Sequence, residues 1–361
     1  MKHNRATFPS WFPGGPSALC AGGLVEDPPW RALLAAVVLA IAGCGSDSSH
    51  AENVVVVYCS VDQEVAEPIL AEFERQTGVH ALARFDTEAA KTVGLVQRLR
   101  TEAARPVADV FWSGEVFHTI RLAREGRLEP YRSDVTRDWP AGLADSQGRW
   151  YGFALRARAV AWHTGRVRAE EAPRRIEDLL DPKWRGRLVM ASPEFGTTSG
   201  HVAAWFAFYG PQRAAEILAG LKANGVRLVA GNSVAVRVVA NGEADVCLTD
   251  SDDVYAAQRN GWPVAMRPLG HGDGGAMTIP NSAAVVRGAP HPEAARRLMA
   301  FLLGETTERL LVESDSHNAP VHLALAARYP QYAVPARLPV DYETVADCVP
   351  QAVSAAMKIL K

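Results

Sequence analysis

Cysteine is scarce in this chain. Five cysteines occur in 361 residues; none stands at CxxC spacing or beside clustered histidines, which argues against a structural zinc site. Beyond Cys44 only Cys59, Cys247 and Cys348 remain, an odd count that leaves at least one thiol free in an oxidising compartment. Cys59 and Cys247 each end a predicted strand and read as small buried hydrophobes. A surplus of one charge is also missing. Lys and Arg number 38 against 40 Asp and Glu, which leaves no basic field for nucleic acid. There is no Walker A motif, no GxSxG and no HExxH, and no nucleophile, base and orienter assemble, so the chain does not read as an enzyme. Gly270–Gly275 formally matches GxGxxG but leads into a strand-like segment, and reads as a loop. His163, His201 and His271 have no partners at metal-ligand spacing. There are no repeats, and past residue 52 no apolar run is long enough to span a bilayer.

What is present begins with a leader. The apolar run Ala32–Gly43 is too short for a transmembrane helix but suits a secretory h-region. Ala42 and Gly43, both small, precede Cys44, and a polar stretch follows. This predicts a lipoprotein signal peptide over 1–43, lipidation at Cys44 and a flexible tether over 44–52. Glu26 and Asp27 are out of place in a leader, and a translation start near Val25 would remove most of the poorly fitting segment. The remaining length is enough for two domains.

Strand and helix patterns alternate after the tether, which predicts an α/β fold with largely parallel sheets. Val54–Tyr58 is a continuous β-branched run, expected as a buried strand. A helix is expected to end at Gly78, then a strand over Val79–Phe85, a helix over Thr87–Glu102, a strand over Asp109–Trp112 and a helix over Val116–Glu125. Trp150–Thr164 and Met277–Val286 read as long extended stretches, the second broken by Pro280. Leu188–Ala191, Val226–Val229 and Ala244–Thr249 read as short strands. Ser192–Gly200 reads as a loop opening a helix over His201–Tyr209.

The chemistry-bearing residues fall just past strand ends, near helix starts. Ligands bind there in open α/β sheets, because strand carboxyl ends and helix N-termini converge. Thr197–His201 suits a phosphate, phosphonate, carbonate or carboxylate through hydroxyls and backbone N–H groups; the structural alternative is an N-cap at Thr198 or Ser199. Asp250, Asp252 and Asp253, with Asp62 and Glu115 across the cleft, suit a hard cation or an ammonium group. Their structural alternative is a solvated helix N-terminus, where Asp is favoured anyway. Tyr58, Trp112 and Phe195 are candidate cleft aromatics; Trp205 reads as core.

In this order, the motifs Val54–Tyr58, Pro68–Gly78, Ala108–Trp112, Asp181–Gly186, Thr198–Gly200, Asn232–Ser233 through Asn241–Asp245 and His291–Ala295 resemble family 1 extracellular solute-binding proteins of ABC importers. The resemblance is greatest to the periplasmic ferric-iron-binding branch. It implies a type II periplasmic-binding-protein fold, two α/β lobes joined by crossing strands and closing on ligand by hinge motion. Ala157–Thr164 and Met277–Val286 would supply the hinge. Lobe 1 would comprise 53–155 and 283–333, lobe 2 156–282 and 334–361. The metal ligands of that branch do not carry over intact. Its His after the first strand is Asp62 here, its Glu after the third is matched by Gly114 with Glu115 adjacent, and its tyrosine pair is Asp252-Asp253. Its anion positions are matched by Ser199, Gly200 and Asn232.

The expected function is that of a substrate-binding lipoprotein that takes a small polar solute to an ABC permease and its ATPase. The solute would be ferric iron with an accompanying anion, or a zwitterion such as an aminophosphonate. The expected ligand contacts are Tyr58, Ser60, Asp62, Trp112, Ser113, Glu115, Thr198, Ser199, Gly200, His201, Asn232, Asp250 and Asp252, with Asp62, Glu115 and Asp252 as metal ligands. No cofactor is expected, since Fe³⁺ would be cargo. A monomer is expected, held at the membrane by its lipid and exposed to the periplasm. The alternative is a carrier or sensor lipoprotein for an apolar or other cargo.

Overall fold

The computed structural model describes residues 53–86, 92–334 and 336–361; the predicted leader, the tether and the lipidation site Cys44 lie outside the described residues. Among the described residues no helix is long and apolar enough to cross a membrane.

The first lobe is built on β1 (Val54–Cys59), β2 (His80–Phe85) and β3 (Val110–Ser113), all parallel, in the order β2-β1-β3. The intervening helices are α1 (Gln63–Thr77) and α2 (Val93–Thr101), and α3 (Phe117–Arg124) follows β3. β1 is apolar along its length because both of its faces are covered. α1 turns Ala66, Ile69, Leu70 and Phe73 to the sheet and ends where Gly78 adopts φ 68°, its N–H bonded to the Glu74 carbonyl. That left-handed stop is open to glycine at little steric cost. β4 (Leu128–Glu129) is a two-residue edge.

β5 (Tyr151–His163) joins the lobes. Its first half pairs antiparallel with β10 (Thr278–Val286), which in turn pairs with β3. From Arg158 onward it pairs instead with β8 (Val246–Asp250) and β9 (Val264–Pro268). β6 (Leu188–Ala191) and β7 (Arg227–Val229) complete the second lobe parallel to β8. The second lobe's helices are α4 (Gly196–Tyr209), α5 (Pro211–Ala223), α6 (Asn232–Ala240) and α7 (Ser251–Arg259). The extended stretch carrying Pro280 remains one strand. A register shift between Pro280 and Asn281 accommodates it, as expected for a residue with no N–H to give the ladder.

One expectation is corrected. Thr197–Gly200 lies inside the first turn of α4, not in a loop before it; Gly196, at φ 54°, makes the turn into the helix instead. The C-terminal region forms α11 (Tyr342–Leu360), after α8 (Pro292–Leu302), α9 (Glu305–Glu313) and the short α10 (Leu323–Ala326). α11 packs on α4 and α5 of the second lobe and also on α3 of the first. One apolar cluster consequently runs from Phe117 and Ile120 through Val202 and Trp205 to Val345 and Val349.

Candidate functional site

A cleft of about 710 Å³, open solvent at its mouth included, lies between the lobes. Its first-lobe wall carries Ser60, Asp62, Thr92, Gly114 and Glu115, joined by Ser316 and Asn318. The facing wall carries Phe195–Thr198, Gly231, Asn232, Asp250, Asp252 and Asp253. The N-termini of α1, α4, α6 and α7 all meet here, so their positive dipole ends point at one volume.

Arg156, from β5, also lines the cleft. Together with Arg158 it was not among the residues singled out from sequence. The signal was there: two arginines two apart in an otherwise apolar strand share one face. Arg158 is fully buried and Arg156 nearly so. Arg158 Nη1 donates to Asp250 Oδ1 at 2.7 Å and to Thr197 Oγ1 at 3.2 Å. Asp250 Oδ2 accepts from the Thr197 hydroxyl and from Asn232 Nδ2 at 3.0 Å. Asn232 Nδ2 also reaches Thr197 Oγ1 at 2.8 Å, and Thr198 Oγ1 donates to Asn232 Oδ1 at 3.2 Å. Burial by itself would raise the Asp250 carboxyl pKa. Arg158, Arg156 and the Thr197 hydrogen bond reverse this and hold it below its ordinary value. Asp250 is thus an ionised residue built into the second-lobe wall.

Behind Arg158 lies a buried imidazole pair. Arg158 Nε donates to His201 Nδ1 at 3.1 Å, and His201 Nε2 lies 2.8 Å from His271 Nε2. Since Nδ1 of His201 accepts, its proton sits on Nε2 and is donated to His271, whose Nδ1 then donates to the Gly275 carbonyl at 3.3 Å. Both rings are therefore neutral. Burial first, then Arg158 and His271, keep His201 well below its ordinary pKa; burial lowers His271 to about 4.

On the first-lobe wall, Ser60 Oγ and Ser113 Oγ lie 3.2 Å apart, tying the ends of β1 and β3. Ser60 Oγ also accepts from Thr92 Oγ1 and the Gly114 N–H, both at 3.2 Å. Glu115 caps α3: its carboxylate accepts from the N–H of Phe117 at 2.6 Å and of His118 at 3.2 Å, with His118 Nδ1 at 3.2 Å.

Of the thirteen expected ligand contacts, Ser60, Asp62, Glu115, Thr198, Asn232, Asp250 and Asp252 line the cleft. The other six stand behind it. Tyr58 donates to Glu102 at 2.6 Å, and burial followed by that carboxylate pushes its hydroxyl up to about 12. Trp112 packs beside Phe153 in the first-lobe core. Ser113 supports Ser60, Ser199 Oγ donates to the Gly196 carbonyl at 2.7 Å, and Gly200 lies against the Phe117 ring. His201 belongs to the buried pair. Among the described residues, one carboxylate group has ligand atoms within 4.8 Å of one another, Asp250, Asp252 and Asp253; Asp62 and Glu115 are not part of it. Phe195 lines the cleft, whereas Trp205 is core.

A two-lobed α/β fold with a polar cleft across shared strands defines a solute-capture protein, and comparison with known proteins agrees. The family model described as bacterial extracellular solute-binding protein matches residues 55–314; the chain belongs to this family. It is 28% identical over 287 residues to the major ferric iron-binding protein of Neisseria meningitidis serogroup B, covering 78% of this chain and 82% of the relative. It is 26% identical over 282 residues to iron uptake protein A1 of Synechocystis sp., covering 75% and 76%. The crystal structure of iron-bound HitA from Pseudomonas aeruginosa superposes with a TM-score of 0.73 at 25% identity, covering 85% of this chain and 99% of HitA. The fold is that of type II periplasmic binding proteins.

Proposed function

We propose that this protein is the substrate-binding component of an ABC importer and that it closes on a small polar solute in the inter-lobe cleft. The observation that carries this reading is the cleft wall. Four helix N-termini, the Thr198–Asn232 pair and the carboxylates Asp62, Asp252 and Asp253 converge on one solvent-open volume with Arg156 among them. Such a wall recognises a ligand carrying both positive and negative charge: ferric iron with its accompanying anion, or a zwitterion such as an aminophosphonate. The relatives named for iron support the first, and the clustered oxygens of Asp250, Asp252 and Asp253 suit a hard cation. Iron would enter here as cargo. The lobes would divide as 53–155 with 283–333 and 156–282 with 334–361. A lipid on Cys44 would hold the protein at the membrane, on the periplasmic side, as a monomer serving a permease and its ATPase.

A thermal-shift panel tests the reading, with ferric citrate, divalent metals, phosphate, aminophosphonates and polyamines. A ligand at 100 times its Kd adds about 2.7 kcal/mol to stability. That should appear as a rise in Tm of several degrees. A flat panel would sink the polar-solute reading in favour of a carrier of apolar cargo.

A further inference from the structure

Two elements that line the cleft also touch each other outside it. α7 supplies Asp252 and Asp253 to the cleft, and the segment 314–318 supplies Ser316 and Asn318. One turn beyond Asp252, Tyr255 stands edge-on to His317, ring centroids 5.1 Å apart at 85°, and to Tyr332, 5.4 Å apart at 84°. His317 and Tyr332 are themselves stacked, 4.4 Å apart at 9°. A further turn along α7, Arg259 pairs with Asp315 at 2.6 Å. Tyr255 and Arg259 are four residues apart and share a helix face. Residues 315 and 317 thus meet α7, while 316 and 318 meet the cleft.

The receiving side is fixed to the first lobe. Tyr332 packs on the first-lobe apolar cluster. Ala319 exchanges two backbone hydrogen bonds with Leu155 of β5, both at 2.7 Å, and Asn318 Oδ1 accepts from Asn281 of β10 at 2.8 Å. His317 Nδ1 donates to the Val312 carbonyl at 2.8 Å, which sets the plane of the ring. His317 also holds a left-handed backbone, φ 45°. That conformation costs a non-glycine residue and persists where the surroundings over-determine it. The Tyr255 ring, carried by the second lobe, enters from across the hinge.

The contact lies on the cleft side of the hinge. Arg259 and Asp315 line a groove that is continuous with the cleft, since Asp62, Asp252, Asp253 and Ser316 line both. Hinge motion that parts the cleft walls parts this groove too, and with it Tyr255 from His317 and Tyr332. The rings are the stronger part of the contact. Edge-to-face pairs contribute beyond the area they bury. Arg259 and Asp315 are both about half exposed, where ion pairs contribute little.

Resting on the capture reading above, we propose that Tyr255, His317 and Tyr332 form a latch that holds the cleft shut through contacts the solute does not make. Tyr255 is then a positioning residue for capture. Both halves of the latch carry cleft-lining residues at adjoining positions, so a solute that engages those residues favours the same closed state. The apparent Kd tightens as the closed fraction rises.

Pulsed electron paramagnetic resonance on the purified chain, without added solute, tests this. Spin labels at Glu64→Cys and Arg237→Cys, which stand on the first-lobe and second-lobe sides of the groove, report its width. Cys20→Ser, Cys44→Ser and Cys348→Ser leave the buried Cys59 and Cys247 as the native thiols. The parent chain should give one short distance. Tyr255→Ala should lengthen and broaden it. His317→Gly should do the same, glycine being free to hold φ 45°, and carries the test if circular dichroism shows Tyr255→Ala unfolded. Tyr255→Phe keeps the ring and should keep the distance, and Arg259→Ala should change it little. Calorimetric titration with ferric citrate and 2-aminoethylphosphonate should show binding weakened about threefold or more by Tyr255→Ala, for whichever binds the parent. An unchanged distance in Tyr255→Ala and His317→Gly, even with a lowered Tm, would overturn the latch. So would an unchanged Kd, or a Tyr255→Phe distance as long as that of Tyr255→Ala. If Tyr255→Ala lengthens the distance while no member of the thermal-shift panel binds the parent, the latch stands and the capture reading falls.

Discussion

At the residue scale, buried charge behind the cleft is largely matched, although Arg158 Nη2 makes no hydrogen bond among the described residues. Arg158, without contact with solvent, has Asp250, Thr197 and His201 around it. The neutral imidazole pair behind it makes stability depend on pH. Both rings have pKa values lowered by folding, from 6.5 to about 4 for His271. In that window the unfolded chain binds more protons than the folded one, so stability is full above about pH 6.5 and falls as pH drops towards 4. A shift of that size is worth roughly 3 kcal/mol for His271. Glu308, whose pKa burial raises, works in the opposite sense. The measurement is therefore a difference: denaturant unfolding of wild type and of the His201→Gln, His271→Gln variant at pH 7 and pH 4.5. The double variant should lose distinctly less stability between the two values.

At the scale of elements, α4 approaches Phe117 of α3 closely at Gly200. A Cβ built on Gly200 would sit 2.1 Å from Phe117 Cε2, and the Phe117 ring is backed by Tyr342 of α11 at 6.1 Å. Glycine is required by closeness of approach between two helices, with no demand on φ. Gly200→Ala should therefore destabilise by about 1–3 kcal/mol through overpacking, read as a lowered Tm. Phe117→Leu should recover part of the loss in the same chain, and a double-mutant cycle measures the coupling. Additive effects would show that the two side chains do not meet. This element also shows why part of the site was hidden in the sequence. The run Thr197–His201 announces a helix start with hydroxyls, but whether a hydroxyl faces a ligand or the helix's own backbone depends on the turn made by Gly196. Thr198 faces the cleft, while Ser199 bonds back to the Gly196 carbonyl.

At the scale of the whole molecule, α11 ties regions distant in sequence. It buries Val345, Ala346, Val349, Ala352, Ala356 and Leu360, and Arg124 of α3 forms ion pairs with Glu343 and Asp347. The two kinds of tie differ greatly in strength. Each of the three charged side chains is at least a third exposed, and exposed pairs contribute about 0–1 kcal/mol. Each buried aliphatic side chain contributes about 1.5–3 kcal/mol. Arg124→Ala should thus lower stability by less than about 1 kcal/mol. Val345→Ala with Val349→Ala should cost several times more. Chemical denaturation of both variants checks the order, and a larger loss from Arg124→Ala would show that charge and not packing holds α11 in place.

What the sequence determined by itself is local in origin. The β-branched runs, the glycine at 78 and the apolar spacing of α1 state strand and helix in residues that are neighbours in the chain, and the alternation of the two implies the layered α/β class. The position of the cleft followed too, because strand ends meet helix starts whatever the side chains. Tertiary structure alone decided which polar groups are left for a ligand. Asp250 and Glu115 look alike in sequence as acids after a strand. One is occupied by Arg158 from a strand 92 residues away, and the other by the N–H groups of the helix that follows it. Tyr58 and Trp112 end strands as expected, yet packing turns them from the cleft. The reason is physical: secondary structure is set by nearest neighbours and periodicity, whereas the charge and the open hydrogen bonds of a cleft are sums over partners from both lobes, and those partners meet only in the folded chain.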